Sequence, residues 1–201
     1  MDVDFFYGLG SRYSYLAATQ IAALERDTGA TVNWHPIPSG RLMERGGRNP
    51  FQGPAPSGQY DWDFRRRDAE AWAAYYGVPY REPHGRVTYD GSLLALACIA
   101  ARRMGAVVPY SVRVFALGFV EDRTAIGRED LIDAAPGTGL DAEAFERMLD
   151  DPATAAEGEA VLDDAFRRGA FGVPTFFVDG QMFWGNDRLV LVRNVLKRRR
   201  G

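Results

Sequence analysis

An apolar, aromatic run at positions 3–6 opens the chain, and Gly8 and Gly10 punctuate the residues after it. This pattern predicts a strand and then a turn. Beyond the turn, Tyr15, Leu16, Ile21, Ala22 and Leu24 fall near helical spacing, with Ser11 or Ser14 as the cap and Gly29 as the stop. Residues 31–37 then alternate between apolar and polar like a second strand. The opening is therefore β-α-β, for which a parallel strand pair with a right-handed crossover is the default. From 38 to about 59 the chain is rich in Gly, Pro and polar residues, which predicts a long loop.

Helical periodicity dominates the next hundred or so positions, with candidate helices near 61–76, 91–104, 109–121, 128–134, 141–150 and 152–168. Breakers such as Gly77-Val78-Pro79, Gly105, Gly137-Thr138-Gly139 and Pro152 separate them. The pattern returns to β at 175–178 and 181–184, joined by the tight-turn dipeptide Asp179-Gly180. A helix from 187 to about 199 closes the chain. The order β-α-β, helices, β-β-α is an α/β pattern. With its middle removed it matches the thioredoxin-like fold, so the expected division is a thioredoxin-like domain at 1–59 and 169–201 with an all-helical insertion at 60–168.

Composition narrows the function. The 201 residues are 46% hydrophobic and 25% charged, enough for one compact domain or a core with a large insertion. The net charge of -3 gives no nucleic-acid footprint. The triplets Arg65-Arg66-Arg67 and Arg198-Arg199-Arg200 read as solvated helix faces. A single cysteine, Cys98, rules out an intrachain disulfide or a Cys-x-x-Cys redox pair, and its apolar surroundings at 93–101 predict a buried, inert thiol. Two histidines, His35 and His84, are too few for a catalytic zinc site, and no calcium-loop spacing occurs, so no metal is expected. Asp2 and Asp4 stand where a secretory leader needs positive charge, and the longest apolar run is too short to span a bilayer. A cytoplasmic protein with no membrane partner is the expectation.

Three segments carry candidate chemistry. In a thioredoxin-like core the reactive group lies between the first strand and first helix, where backbone N–H groups and the helix dipole favour negative charge. Here that place holds Ser11-Arg12-Tyr13-Ser14, with serines at Cys-x-x-Cys spacing. The protein cannot exchange disulfides there, yet the helix terminus could hold a thiolate from another molecule; the simpler reading is that the serines only cap the helix. Val173-Pro174 stands directly before a strand, either as an ordinary strand-start proline or as a cis bond that frees the Val173 backbone for an extended ligand. Asn186 and Asp187 precede the last helix, where one can cap and the two together could hold an amine and a carboxylate.

The phrases Ser11-Arg12-Tyr13-Ser14-Tyr15-Leu16-Ala17, Phe171-Gly172-Val173-Pro174-Thr175-Phe176 and Phe183-Trp184-Gly185-Asn186-Asp187-Arg188-Leu189 resemble, in order and spacing, the 2-hydroxychromene-2-carboxylate isomerase family. That family groups with kappa-class glutathione transferases and DsbA-like thioredoxin-fold proteins. The resemblance implies glutathione as cofactor, with Ser11 facing its sulfur as the catalytic residue and with Arg12 and Tyr13 beside it. It implies further that Val173, before a cis Pro174, pairs with the tripeptide backbone, that Asn186 and Asp187 hold the γ-glutamyl end, and that Asn49 contacts ligand. Two residues depart from the family: Arg12 replaces a usual proline, and a common lysine is missing near Asp61.

The implied reaction is a glutathione-dependent cis-trans isomerisation of an aromatic enone carboxylate such as 2-hydroxychromene-2-carboxylate. The thiolate adds to a conjugated double bond, the resulting single bond rotates, and the thiol leaves. Arg12, Arg41, Arg45 and Arg48 are candidates for the substrate carboxylate, Arg12 first. A kappa-class-like glutathione transferase and a non-catalytic thioredoxin-fold binding module are the alternatives. Relatives are often dimers, which leaves a homodimer open. His35 reads as structural, His84 as a loop residue, and the aromatic group Tyr60, Trp62, Phe64, Trp72, Tyr75 and Tyr76 mostly as core.

Overall fold

A computed structural model describes residues 1–47, 49–50, 58–82 and 88–198. The first strand, β1 (Asp2–Tyr7), leads through Gly8–Gly10 into α1 (Arg12–Thr28), and β2 (Thr31–Pro36) returns parallel to β1 in the register Phe5↔Trp34. Ser11 caps α1, and Gly29 ends it with φ 62°, its N–H on Glu25 O at 2.7 Å. A left-handed φ is what Gly supplies at a helix stop without steric cost.

The segment expected to be loop after β2 contains a short helix, α2 (Ser39–Arg45), and a 3₁₀ turn at Gly58–Tyr60. Residues 48 and 51–57 lie outside the described residues. Helix α2 buries only Leu42 and is tied to a later helix by Arg41–Glu159 and Arg45–Asp163 ion pairs. Such long-range partners are invisible to local periodicity.

The helical segment comes next as α3 (Trp62–Tyr76), α4 (Gly91–Arg103), α5 (Val107–Phe119), α6 (Arg128–Ala134), α7 (Ala142–Asp150) and α8 (Pro152–Arg167). Asp61, Asp90, Asp141 and Asp151 cap four of them, each accepting an N–H of the first turn. The segment is not all helical. Two-residue strands, β3 (Thr88–Tyr89) and β4 (Ala125–Ile126), pair in parallel within it, and two residues are too few to show a period of two.

After it, β5 (Thr175–Val178) pairs antiparallel with β1, and β6 (Gln181–Trp184) with β5, giving the sheet order β2-β1-β5-β6. Asp179 and Gly180 take positive φ (52° and 75°), as a two-residue hairpin requires. A 3₁₀ turn at Asn186–Arg188 enters α9 (Leu189–Arg198). This is the thioredoxin-like α/β arrangement.

One core runs through sheet and insertion alike. Phe5 stacks between Tyr7 and Phe176 at 4.9 Å from each, and Tyr7 touches Phe115 of α5. The Tyr7 hydroxyl shares a buried 2.6 Å hydrogen bond with Ser111. Cys98 lies in this core at 0% exposure. The helical insertion is therefore fixed against the strand whose end carries the candidate site.

Candidate functional site

Ser11 holds φ -100° and ψ 117°, and its Oγ accepts the Ser14 N–H at 3.2 Å. Its hydroxyl hydrogen is not used by that bond. Ser14 is fully buried and accepts the Gly8 N–H at 3.3 Å, which shapes the turn. Of the two serines, only Ser11 is both cap and half-exposed. The N–H groups of Arg12 and Tyr13 begin the helix, where intrahelical acceptors do not exist, so this terminus offers donors together with the positive end of the helix dipole.

The Val173–Pro174 bond is cis. A methyl group built on Gly8 would lie 3.3 Å from Val173 Cγ2 and 3.0 Å from Ser39 Oγ, so this strand-to-helix turn touches the proline loop directly. On the other side, Gly185 N–H donates to Pro174 O at 2.9 Å. Ser11 N–H in turn donates to Gly8 O at 3.0 Å. The three segments singled out in the sequence thus form one connected chain of contacts, running from Ser11 through Gly8, Val173 and Pro174 to Gly185.

Asn186 and Asp187 come after Gly185, inside the 3₁₀ turn that enters α9. Gly185, with φ 112°, caps that turn, and no side chain bonds at its cap. Asn186 is 3% exposed, and the Tyr76 hydroxyl lies 3.3 Å from its carbonyl and 3.4 Å from its Nδ2. Asp187 is partly exposed and pairs with Arg188 at 3.2 Å. Both line a cavity of about 670 Å³, together with Gln20, Trp72, Tyr76 and Arg193.

A second cavity, about 460 Å³, opens at Gly8–Gly10 and is bounded by Ser39, Gly40, Glu44, Trp62, Glu82, Tyr89 and Phe119. Asn49 is near one lining residue, its Nδ2 3.8 Å from the Cβ position of Gly40. The Asn186–Asp187 pair belongs to the first cavity and the turn before Ser11 to the second.

Arg12 is 4% exposed, pairs with Glu82 at 2.7 Å and lies 5.0 Å from the Trp62 ring centroid. It is not an open carboxylate clamp. Tyr13 donates to Asp68 at 2.8 Å; burial, and then Asp68, push its phenol up to about 12. Arg41 and Arg45 are engaged with Glu159 and Asp163 on α8. Arg48 and His84 lie outside the described residues. The Cys98 thiol is pushed up to about 12 by burial. Among the described residues no group of three or more His, Cys, Asp or Glu could hold a metal ion, and no helix is long and apolar enough to cross a membrane.

The geometry sets Ser11 at the first strand-to-helix turn, which meets the loop of a cis proline through Gly8. The chain matches the DsbA-like thioredoxin domain over residues 2–197. It belongs to the DsbA-like thioredoxin family. It is 30% identical over 206 residues to a 2-hydroxychromene-2-carboxylate isomerase of Sphingobium xenophagum, covering 96% of this chain and 97% of that one. It is 28% identical to a protein of the same name from Pseudomonas putida, over 98% and 95% of the two chains. A solved 2-hydroxychromene-2-carboxylate isomerase superposes with a TM-score of 0.84 at 28% identity, over 98% of this chain and 95% of that one. Within its family the chain stands with these isomerases, and it is an enzyme of the isomerase class.

Several residues at this site escape a reading of the sequence. Glu82 and Tyr80 precede a Pro-Gly loop with no motif around them, yet Glu82 takes Arg12 on one oxygen and the Tyr80 hydroxyl, at 2.6 Å, on the other. Burial, and then Glu82, raise the Tyr80 phenol well above its ordinary range. The aromatic group expected to be core is split: Trp62, Phe64 and Tyr75 are at least half exposed, while Trp72 and Tyr76 pack against the core. The acids and arginines between them give the signal, since they widen the polar face of α3 around its aromatic positions.

Proposed function

We propose that this protein is a glutathione-dependent cis-trans isomerase of a small aromatic enone carboxylate. The observation that carries this reading is the pairing of a thiol-free reactive position with a sealed cysteine. Ser11 caps α1 at a turn whose Gly8 lies against Val173, while the chain's single thiol, Cys98, is fully buried. A nucleophilic sulfur for this site has to come from outside.

In this reading Ser11 and the first N–H groups of α1 hold the glutathione thiolate, with Arg12 and Tyr13 beside it. Val173, ahead of Pro174, pairs with the tripeptide backbone. Asn186 and Asp187 take the γ-glutamyl end, and Asn49 contacts ligand from the α2 side. The thiolate adds to the double bond carbon β to the ketone, and the electron pair moves onto the carbonyl oxygen as an enolate. The former double bond rotates. The enolate then re-forms the ketone and expels the thiolate, so glutathione is regenerated. Donors at the helix terminus favour the thiolate over the thiol, as a thiol at such a terminus titrates low.

Calorimetric titration of the purified protein with reduced glutathione, in parallel with Asp187→Ala, tests the cofactor. Saturable binding that the substitution abolishes supports it, and absence of heat for the folded protein rejects it. Thiol titration during turnover separates isomerase from transferase, because only the transferase consumes glutathione.

A further inference from the structure

Immediately after Ser11 comes a buried arginine whose hydrogen bonding is incomplete. Arg12 Nη2 meets Glu82 Oε1 at 2.7 Å, but Nη1 is buried and has no acceptor among the described residues. A buried donor left unpaired is costly, so a bound acceptor at that nitrogen gains what the free protein lacks. Glu82, which pairs with the guanidinium, and Trp62, whose ring lies against it, both line the cavity that opens at Gly8–Gly10. Arg12 therefore stands directly behind that cavity's wall, next to Ser11.

We propose that Arg12 is a catalytic residue that donates from Nη1 to the ketone oxygen of the substrate, where the enolate charge develops. This rests on the isomerase reading above and deepens it. Two features select a ketone over a carboxylate as its partner. The guanidinium is already paired, so Arg12 and Glu82 together carry no net charge and attract a ground-state anion weakly. The one nitrogen left buried without an acceptor is Nη1, and a single nitrogen suits a single carbonyl oxygen, whereas a carboxylate is matched by a free two-pronged fork of two nitrogens. As the thiolate forms the C–S bond, the π electrons move to that oxygen and the hydrogen bond becomes charge-assisted. When the C–S bond breaks, the pair returns to the carbon–carbon double bond. A donor placed in this way acts as an oxyanion hole does.

Two unreactive probes test the assignment in the presence of glutathione: 2-oxo-4-phenylbutanoate, and 4-phenylbutanoate, which keeps the carboxylate and lacks the ketone. Calorimetry on the wild type is expected to show the keto acid binding about tenfold tighter, and Arg12→Gln is expected to erase that preference. Equal loss of both probes in Arg12→Gln would assign Arg12 to the carboxylate and overturn the proposal, as would failure of either probe to bind the wild type. Glu82→Gln supplies a second arm that does not depend on the fold of Arg12→Gln. It leaves the guanidinium charge uncompensated, so both probes tighten; unchanged affinities would overturn the proposal. A retained ketone preference in a protein without thiol-dependent turnover would reject the isomerase reading and leave the Arg12 subsite standing.

Discussion

Ser14 Oγ accepts the Gly8 N–H at 3.3 Å while Ser11 Oγ accepts the Ser14 N–H at 3.2 Å, so the two serines at the start of α1 do different work. Ser14→Ala leaves a buried N–H unpaired and is expected to cost about 1–3 kcal/mol. Ser11→Ala removes a cap at about 1 kcal/mol. Turnover is expected to separate them the other way. Ser11→Ala lowers kcat by roughly one to three decades, in the range of oxyanion-type losses, whereas Ser14→Ala acts through stability alone. Urea titrations beside kcat at a temperature where both variants are folded check this, and equal kcat losses would contradict it.

Gly8 is the point where the serine turn and the proline loop touch. A Cβ there would sit 3.0 Å from Ser39 Oγ and 3.3 Å from Val173 Cγ2, so Gly8→Ala pushes both side chains outward by a few tenths of an ångström. Nothing strains the backbone, because Gly8 does not hold a positive φ. On the proposed function, the expected result is a nearly normal Tm with glutathione affinity weaker by roughly tenfold, which corresponds to about 1.4 kcal/mol. Calorimetry on the variant measures it, and an unchanged Kd would place the tripeptide away from Val173.

The elements were legible where local signals agreed. Helices α3 to α8 track the apolar periodicity and lie between the Gly and Pro breakers, and the hairpin is set by Asp179-Gly180. Misreadings came from partners far along the chain. Helix α2 is held by Arg41 and Arg45 to acids more than a hundred positions away, and β3 pairs with β4 across two helices. At the site, Ser11, Val173-Pro174 and Asn186-Asp187 were legible as segments because each stands beside a turn residue. Arg12 was legible as a candidate but its burial was not: its partner Glu82 and its neighbour Trp62 are 70 and 50 positions on, and only the folded chain brings them to it.

Cys98 gives a direct reading of how closed the core is. Burial holds its thiol up to about 12, and it has no exposed surface. A thiol reagent such as 5,5′-dithiobis(2-nitrobenzoate) is expected to find no reactive sulfur in the native protein at about pH 8 and one after denaturation in guanidinium. On the proposed function, Cys98→Ala should then leave glutathione-dependent turnover intact. Fast labelling of the native protein, or loss of turnover in Cys98→Ala with Tm preserved, would supply the reaction with a sulfur of its own and remove the argument for a borrowed one.

The acid limb of stability is expected to centre on His35. Its ring stacks on Phe6 at 4.6 Å, its Nε2 faces Asp4 at 3.0 Å, and its Nδ1 faces Arg102 at 3.2 Å. Burial lowers the His35 pKa below 6.5, with Arg102 and Arg168 helping and Asp4 opposing. Burial would raise the Asp4 carboxyl, but hydrogen bonds from His35 and Arg168 hold it below 3.8. Both depressed values mean that the unfolded chain takes up protons first as pH falls. The His35 contribution is therefore complete above 6.5 and declines as pH falls through 6.5 toward the folded value; the Asp4 contribution declines only below 3.8. The slope from one such group cannot exceed about 1.4 kcal/mol per pH unit. In His35→Gln, which does not titrate, unfolding free energies between about pH 7.5 and 5 should fall less steeply than in the wild type, so the gap between the two proteins narrows on acidification. Urea unfolding at three pH values across that window measures the gap, and a constant gap would show that His35 is not the group that titrates.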